Sequence, residues 1–283
     1  MDLVERLGRA LDYVEKNLDG EIHYALAAEH ACCSAYQFTR MFGYITGVPL
    51  SEYIRRRRLS RAAEELNQGG KVLDLAVKYG YDSPTAFNRA FRTVHGMSPA
   101  QAKRAGVVLK SYPRIHFQLS IKGVVAMDYR IEQKEAFAVV GFKKWVSLEN
   151  EQNVVEIPKL WKDLSRESCE AVMKTNNAAP QALLGVCADM HDNGFDYYIA
   201  AAATSPAPEG MERLEVPAST WAVFESVGPL PDALQKVWKA VYADWLPSSG
   251  YDHAQTPELE VYAPGDNTAA DYRCELWIPV VKK

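Results

Sequence analysis

The chain has 283 residues, is 48% hydrophobic and 24% charged, and carries a net charge of −4, which excludes a disordered or fibrous chain and leaves room for about two domains. No window reaches the roughly 18–20 uninterrupted apolar residues of a membrane helix, the N-terminal segment MDLVERLGRALDYVEKN lacks a signal-peptide core, and the five cysteines form no Cys-x-x-Cys pair. A reduced, cytoplasmic protein with no membrane partner, metal or other cofactor is expected.

Charge divides along the chain. Residues 1–110 hold 16 Lys+Arg and 12 Asp+Glu, a net of +4, and residues 111–283 hold 16 and 24, a net of −8. The basic part suits nucleic acid, and the acidic part suits an organic cation. The basic part also repeats itself. Phe38, Arg40, Phe42 and Gly47 recur as Phe87, Arg89, Phe91 and Gly96 at an offset of 49, as do Ser34 and the pair Leu26-Ala27. Each copy reads as a short helix, a turn and a second helix.

In the first copy Phe38, Met41, Phe42 and Ile45 are core candidates, and Tyr36, Gln37, Thr39 and Arg40 are the outward set. Ala31-Cys32-Cys33 occupies the turn, and both cysteines read as small buried residues rather than as a redox pair. Pro49 to Gly69-Gly70 bounds a long helix with a buried side of Ile54, Leu59, Ala62, Ala63 and Leu66. Its Arg55–Arg58 run reads as solvated or internally paired, with phosphate attraction as the alternative. In the second copy Val72, Leu73, Leu75, Ala76 and Tyr79 form an apolar stripe, Gly80 ends the helix, and Ser83-Pro84 starts the next. Phe87, Phe91 and Val94 bury one face; Thr85, Asn88, Arg89 and Arg92 look out.

The stretch AVKYGYDSPTAFNRAFRTVHGMSPAQAKR carries a resemblance. Residues 8–106 resemble the AraC/XylS DNA-binding domain, which implies seven helices, two helix-turn-helix motifs, double-stranded DNA as a partner and RNA polymerase as a second one. The DNA-contacting candidates are Ser34, Tyr36, Gln37, Thr39, Arg40, Ser83, Thr85, Asn88 and Arg89. Surface arginines paired with carboxylates are the alternative for Arg40 and Arg89.

Ile115, Phe117, Leu119 and Ile121 alternate, so the connector 111–126 between domains 1–110 and 127–283 reads as a strand. Strands are then expected at 136–144, 182–190, 197–203, 220–227, 259–263 and 272–280, and helices at 157–167 and 230–245. That order makes an α+β domain of two β-α-β-β units beside an all-α domain, with both helices on one face of the sheet. Residues 127–283 resemble the GyrI-like effector-binding domain through MDYRIEQKEAFAVVGF, IPKLWKDL, VPASTWAVFESVGPL, VWKAVYADWLPSSGY and CELWIPV. The resemblance implies an aromatic cleft with a glutamate that binds amphipathic, often cationic, organic molecules.

The residues suggest the same chemistry. Glu275 and Trp277 share one face of an apolar strand, and Glu260 and Tyr262 share a face of the strand before it. A hairpin of the two brings Glu260 near Glu275, and a carboxylate beside tryptophan suits a cation. Trp145, Tyr197 and Trp221 complete the pocket candidates; Trp161, Trp238 and Trp245 read as helix-borne core. His191 with Asp189 and Asp192 reads as a solvated loop rather than a metal site. No P-loop, Gly-x-Gly-x-x-Gly, His-Glu-x-x-His or Gly-x-Ser-x-Gly motif occurs. The reading is a DNA-binding transcription regulator with an organic effector, and not an enzyme. The rivals are a hydrolase of reactive small molecules and a protein-interaction platform.

Overall fold

Helix caps explain most of the repeat. A computed structural model describes residues 3–104, 107–117, 127–147, 152–191 and 194–283, and it divides into two units, Met1–Ile121 and Lys122–Lys283. In the first unit α1 spans Leu3–Lys16, α2 Tyr24–His30, α3 Ala35–Thr46, α4 Leu50–Asn67, α5 Val72–Lys78, α6 Pro84–His95 and α7 Pro99–Ala102. The second helices of the two copies, α3 and α6, match residue for residue. Ser34 and Ser83 are their N-caps, accepting from the N–H groups of Gln37 and Ala86; Gly47 and Gly96 end them at φ 69° and 77°. Phe38, Phe42, Phe87 and Phe91 are fully buried.

The first helices of the copies do not keep that offset. The Cys33 N–H bonds the Ala28 carbonyl as the Tyr81 N–H bonds that of Ala76, so α2 and α5 are related by 48 residues and the second turn is one residue longer. The match of Leu26 to Leu75 is therefore coincidental: Leu26 is 42% exposed and Leu75 3%. Leu73, expected in the stripe, is 60% exposed. The shorter turn places Cys32 at φ 55°, where the second copy has Gly80 at φ 75°. A side chain with a Cβ pays roughly 1–2 kcal/mol in that region.

Helix α4 is held through its arginines. Glu52 takes Arg55 and Arg56; the buried Glu15 of α1 takes both Nε and Nη2 of Arg57, at 2.8 and 2.9 Å, and the Tyr53 hydroxyl at 2.7 Å. Burial raises the Glu15 pKa, but Arg57 and Tyr53 outweigh it and hold the carboxyl below its ordinary value. Arg58 donates to the carbonyls of Leu18 and Gly20. The whole run is thus internally paired. Residues 107–117 form no strand, correcting the expected alternation; Leu119 and Ile121 lie outside the described residues. The segment is a strap on the helices. Tyr112 takes Arg57 on its carbonyl and gives its N–H to Ser60, and Phe117 meets Phe42 edge-on.

The second unit contains β1 (Tyr129–Lys134), β2 (Phe137–Ser147), α8 (Gln152–Asp163), α9 (Arg166–Thr175), β3 (Leu183–His191), β4 (Gly194–Ala202), β5 (Glu212–Val216) and β6 (Ser219–Val227). There follow α10 (Asp232–Ala240), a π-helical turn (Val241–Trp245), α11 (Leu246–Ser248), β7 (Tyr251–His253), β8 (Glu258–Tyr262) and β9 (Arg273–Lys282). The strands form one antiparallel sheet in the order β1-β6-β9-β8-β3-β4-β2-β5, with β7 beside β9. Its centre is the β3–β8 pair, and each side repeats the other. The two β-α-β-β units are β2-α8-α9-β3-β4 and β6-α10-β8-β9. The short strands β1 and β5 each pair with the opposite unit's first strand, so the units are interlocked at both edges. These strands read as polar in sequence because edge strands carry alternating charges, as in YRIEQK and ERLEV.

Two outcomes follow from the first unit. Cys32→Gly should stabilise the chain by about 1 kcal/mol, measured as the urea midpoint, because glycine takes φ 55° without the Cβ clash; an unchanged or lower midpoint contradicts this. His95 is buried, with Nε2 on the Leu59 carbonyl. Burial lowers its pKa, and Lys110 adds to the shift against the Leu59 bond. The unfolded chain therefore binds the proton more readily, and stability should fall as pH drops below about 6.5. His95→Gln should flatten that part of the stability–pH curve; an unchanged slope would rule His95 out as the cause.

Candidate functional sites: a buried carboxylate and two recognition helices

Opposed residues of antiparallel neighbours share a face, and this separates the expected pocket into two places. Glu275 lies opposite Val261 and Trp277 opposite Leu259, whereas Glu260 lies opposite Leu276. Glu260 and Glu275 therefore point to opposite faces of the sheet, and the expected pairing of the two does not occur.

The face of Glu275 holds Trp221 and Trp277, with ring centroids 5.9 Å apart. Glu275, expected as a partner for an incoming cation, already has partners within the chain. Arg130 of β1 lies 2.8 Å from it, and the Trp277 indole N–H donates to it at 2.8 Å. Lys134 covers the Trp277 ring at 5.1 Å. Trp145 also belongs to this face, 41% exposed over Gly194. None of Glu275, Trp277, Trp221 and Trp145 joins Glu260.

The other face builds a cage around Glu260. Its Oε2 accepts from the hydroxyls of Tyr197 (2.9 Å) and Tyr262 (2.8 Å), and its Oε1 from the Trp238 indole N–H (2.7 Å). Trp161 of α8 donates to the Tyr197 oxygen at 2.8 Å and lies edge-on to Tyr262 at 4.8 Å. Trp161 and Trp238, expected as plain core, thus bring α8 and α10 onto this face. The carboxylate fits only because β3 carries glycine opposite it: a Cβ on Gly185 would lie 2.4 Å from the Tyr197 hydroxyl and 2.6 Å from Glu260 Oε2.

Electrostatics set this site apart. Glu260 is 7% exposed, and among the described residues no Lys, Arg or His pairs with it. Burial, then the Glu260 charge, push the Tyr197 and Tyr262 phenols well above their ordinary pKa, so both stay protonated as donors. Two residues earlier, Glu258 faces the same way and is satisfied differently. Tyr242, in the π-helical turn and stacked on Trp238, donates to it. His253 accepts the Gln255 N–H on Nδ1, so its Nε2–H donates to Glu258 at 3.0 Å. Sequence reasoning missed Glu258, Tyr242 and Gly185; the alternation Glu258-x-Glu260-x-Tyr262 was the available signal. Of the His191 group, Asp192 lies outside the described residues.

The helical unit presents its second copy plainly. Thr85, Asn88, Arg89 and Arg92 of α6 are exposed, and their side chains hold no other described residue. In α3 the expected outward set is corrected. Tyr36 and Gln37 are 1% and 2% exposed; the Gln37 amide oxygen accepts the Ser34 N–H in a capping box; the Thr39 hydroxyl turns back to Ala35. Arg40 is half-buried between Tyr36 and Tyr44. Ser34 and Ser83 serve as caps.

Comparison with known proteins matches residues 127–281 to a GyrI-like small molecule binding domain and residues 27–105 to a helix-turn-helix domain. The HTH-type transcriptional activator AarP of Providencia stuartii is 37% identical over 95 residues, covering 33% of this chain and 70% of AarP. The right origin-binding protein of Escherichia coli K12 is 24% identical over 294 aligned positions, 99% of both chains. Among solved structures, SAV2435 bound to tetraphenylphosphonium superposes with a TM-score of 0.50 at 25% identity, over 55% of this chain and 94% of that one. Among the described residues no helix is long and apolar enough to cross a membrane. The chain belongs to the GyrI-like family and is an AraC-type DNA-binding transcription regulator carrying that small-molecule-binding domain.

Proposed function

We propose that residues 127–283 sense an amphipathic organic cation at Glu260, and that residues 1–110 read double-stranded DNA with α3 and α6 and engage RNA polymerase there. One observation carries the effector reading: a buried carboxylate is stabilised by neutral donors alone. A buried charge normally finds a counter-charge. Here the described residues supply dipoles and aromatic faces, Trp161, Tyr197, Trp238 and Tyr262, which favour a cation arriving from outside. The binding of tetraphenylphosphonium by the similar SAV2435 supports that ligand class. Glu275 is excluded from the role by its own arginine.

The probe is tetraphenylphosphonium, titrated calorimetrically into the full chain. Glu260→Gln keeps the shape, removes the charge and should weaken binding roughly tenfold or more, since a desolvated cation–carboxylate contact exceeds 1.4 kcal/mol. Glu275→Gln should bind as the parent does. Equal affinity of parent and Glu260→Gln would overturn the assignment.

For DNA, the exposed side chains of Asn88 and Arg89 in the middle of α6 suit bidentate contacts to adenine and guanine edges. Alanine at either position should cost about 1–3 kcal/mol on a selected duplex and leave random DNA almost unaffected. Loss on both duplexes alike would make these residues phosphate contacts rather than base readers.

A further inference from the structure

The two recognition helices share a template but hold their arginines differently. In α3, Tyr36, Arg40 and Tyr44 fall at i, i+4 and i+8, one above another on a single helix stripe. The Arg40 guanidinium carbon lies 4.9 Å from the Tyr36 ring centroid and 5.5 Å from that of Tyr44. The guanidinium donates to the hydroxyls of both, at 2.8 Å to Tyr44. The 49-residue offset maps this trio onto Thr85, Arg89 and Thr93 in α6. There the Thr93 hydroxyl turns back to the Arg89 carbonyl at 3.0 Å, and the Arg89 guanidinium holds no other described residue.

We propose that Tyr44 is a positioning residue for base recognition by Arg40, so that the first helix-turn-helix reads DNA with a preset arginine and the second with a free one. The proposal rests on the reading of α3 as a DNA-contacting helix. Its physical basis is rotamer entropy. A free arginine must surrender several rotamers when it docks on a base edge, whereas a clasped one has already done so. A guanidinium has five N–H donors, so a clasp through two of them is compatible with a bidentate contact to guanine O6 and N7. Preorganisation of a base contact also has a distinct signature. It raises affinity for the correct sequence and adds nothing to phosphate attraction, which needs no fixed fork. Tyr44 is half-buried at the C-terminal end of α3, away from the Ser34 cap, so its hydroxyl is not needed to start the helix.

The test uses the full chain and a 20-bp duplex enriched by it from a randomised pool, with a scrambled duplex of equal length as control. Tyr44→Phe removes one hydroxyl and keeps the ring. It should weaken the enriched duplex roughly three- to tenfold, the range of one hydrogen bond, while binding the scrambled duplex as the parent does and melting at the same temperature. Arg40→Ala should lose more, and the double variant Arg40→Ala/Tyr44→Phe should be no weaker than Arg40→Ala alone, which keeps the test valid even if Tyr44→Phe alters melting. If Tyr44→Phe matches the parent on the enriched duplex, or costs the same on both duplexes, or still costs affinity once Arg40 is gone, the positioning role is wrong. If Arg40→Ala binds both duplexes like the parent, the DNA reading of α3 itself falls.

Discussion

A buried carboxylate that meets no Lys, Arg or His among the described residues is the constraint around which the effector unit is arranged. Glu260 needs donors on both oxygens, and three elements provide them: β4 through Tyr197, β8 through Tyr262 and α10 through Trp238. Helix α8 then supports Tyr197 through Trp161. Glycine at 185 is the condition for all of this, because any Cβ there would occupy the space of the carboxylate and the phenol. The central β3–β8 pair, the seam between the two repeats, is thus also where the charge sits.

Charge distribution distinguishes the faces of the sheet by the same logic. Glu275 and Glu260 lie on neighbouring strands, yet Arg130 neutralises the first, and no described Lys, Arg or His meets the second. A paired, partly exposed carboxylate contributes little to ligand recognition, since a newcomer must displace an existing cation. A desolvated carboxylate held by neutral donors leaves the place of a counter-charge open. In the helical unit the balance runs the other way. The buried Glu15–Arg57 pair is completed by Tyr53 and ties α1, α4 and the strap at Tyr112 together; breaking such a pair typically costs about 3–5 kcal/mol. The half-buried Glu52 pairs within that helix, at i, i+3 and i, i+4, are worth about 0–1 kcal/mol. Of Arg55, Arg56 and Arg57, Arg57 therefore matters most to the fold.

Much was legible without coordinates. The caps Ser34, Ser83, Gly47 and Gly96 and the four phenylalanines are local signals, because a cap or an i, i+4 stripe is satisfied within one helix. The six expected strands and the helix beginning near 230 followed from apolar runs, and so did the α+β class; the helix expected at 157–167 instead spans Gln152–Asp163, and α9 begins at Arg166. The 48-residue relation of α2 to α5 was hidden by the chance match of Leu26 to Leu75, since a one-residue difference in a turn leaves no periodic trace. The edge strands β1 and β5 and helix α9 were hidden because half-exposed elements read as polar.

The sequence by itself determined the two units, the twin helix-turn-helix motifs and the presence of strand glutamates beside aromatic residues. These depend on periodicity and on contacts within a few residues. Only the tertiary structure decided which glutamate meets no cation among the described residues. That choice depends on strand register, which places Glu260 under Trp238 and Glu275 beside Arg130, residues 22 and 145 positions away in the chain. Alternation along a strand tells which residues share a face. It carries no information on which face meets a helix or which distant arginine arrives at the same edge.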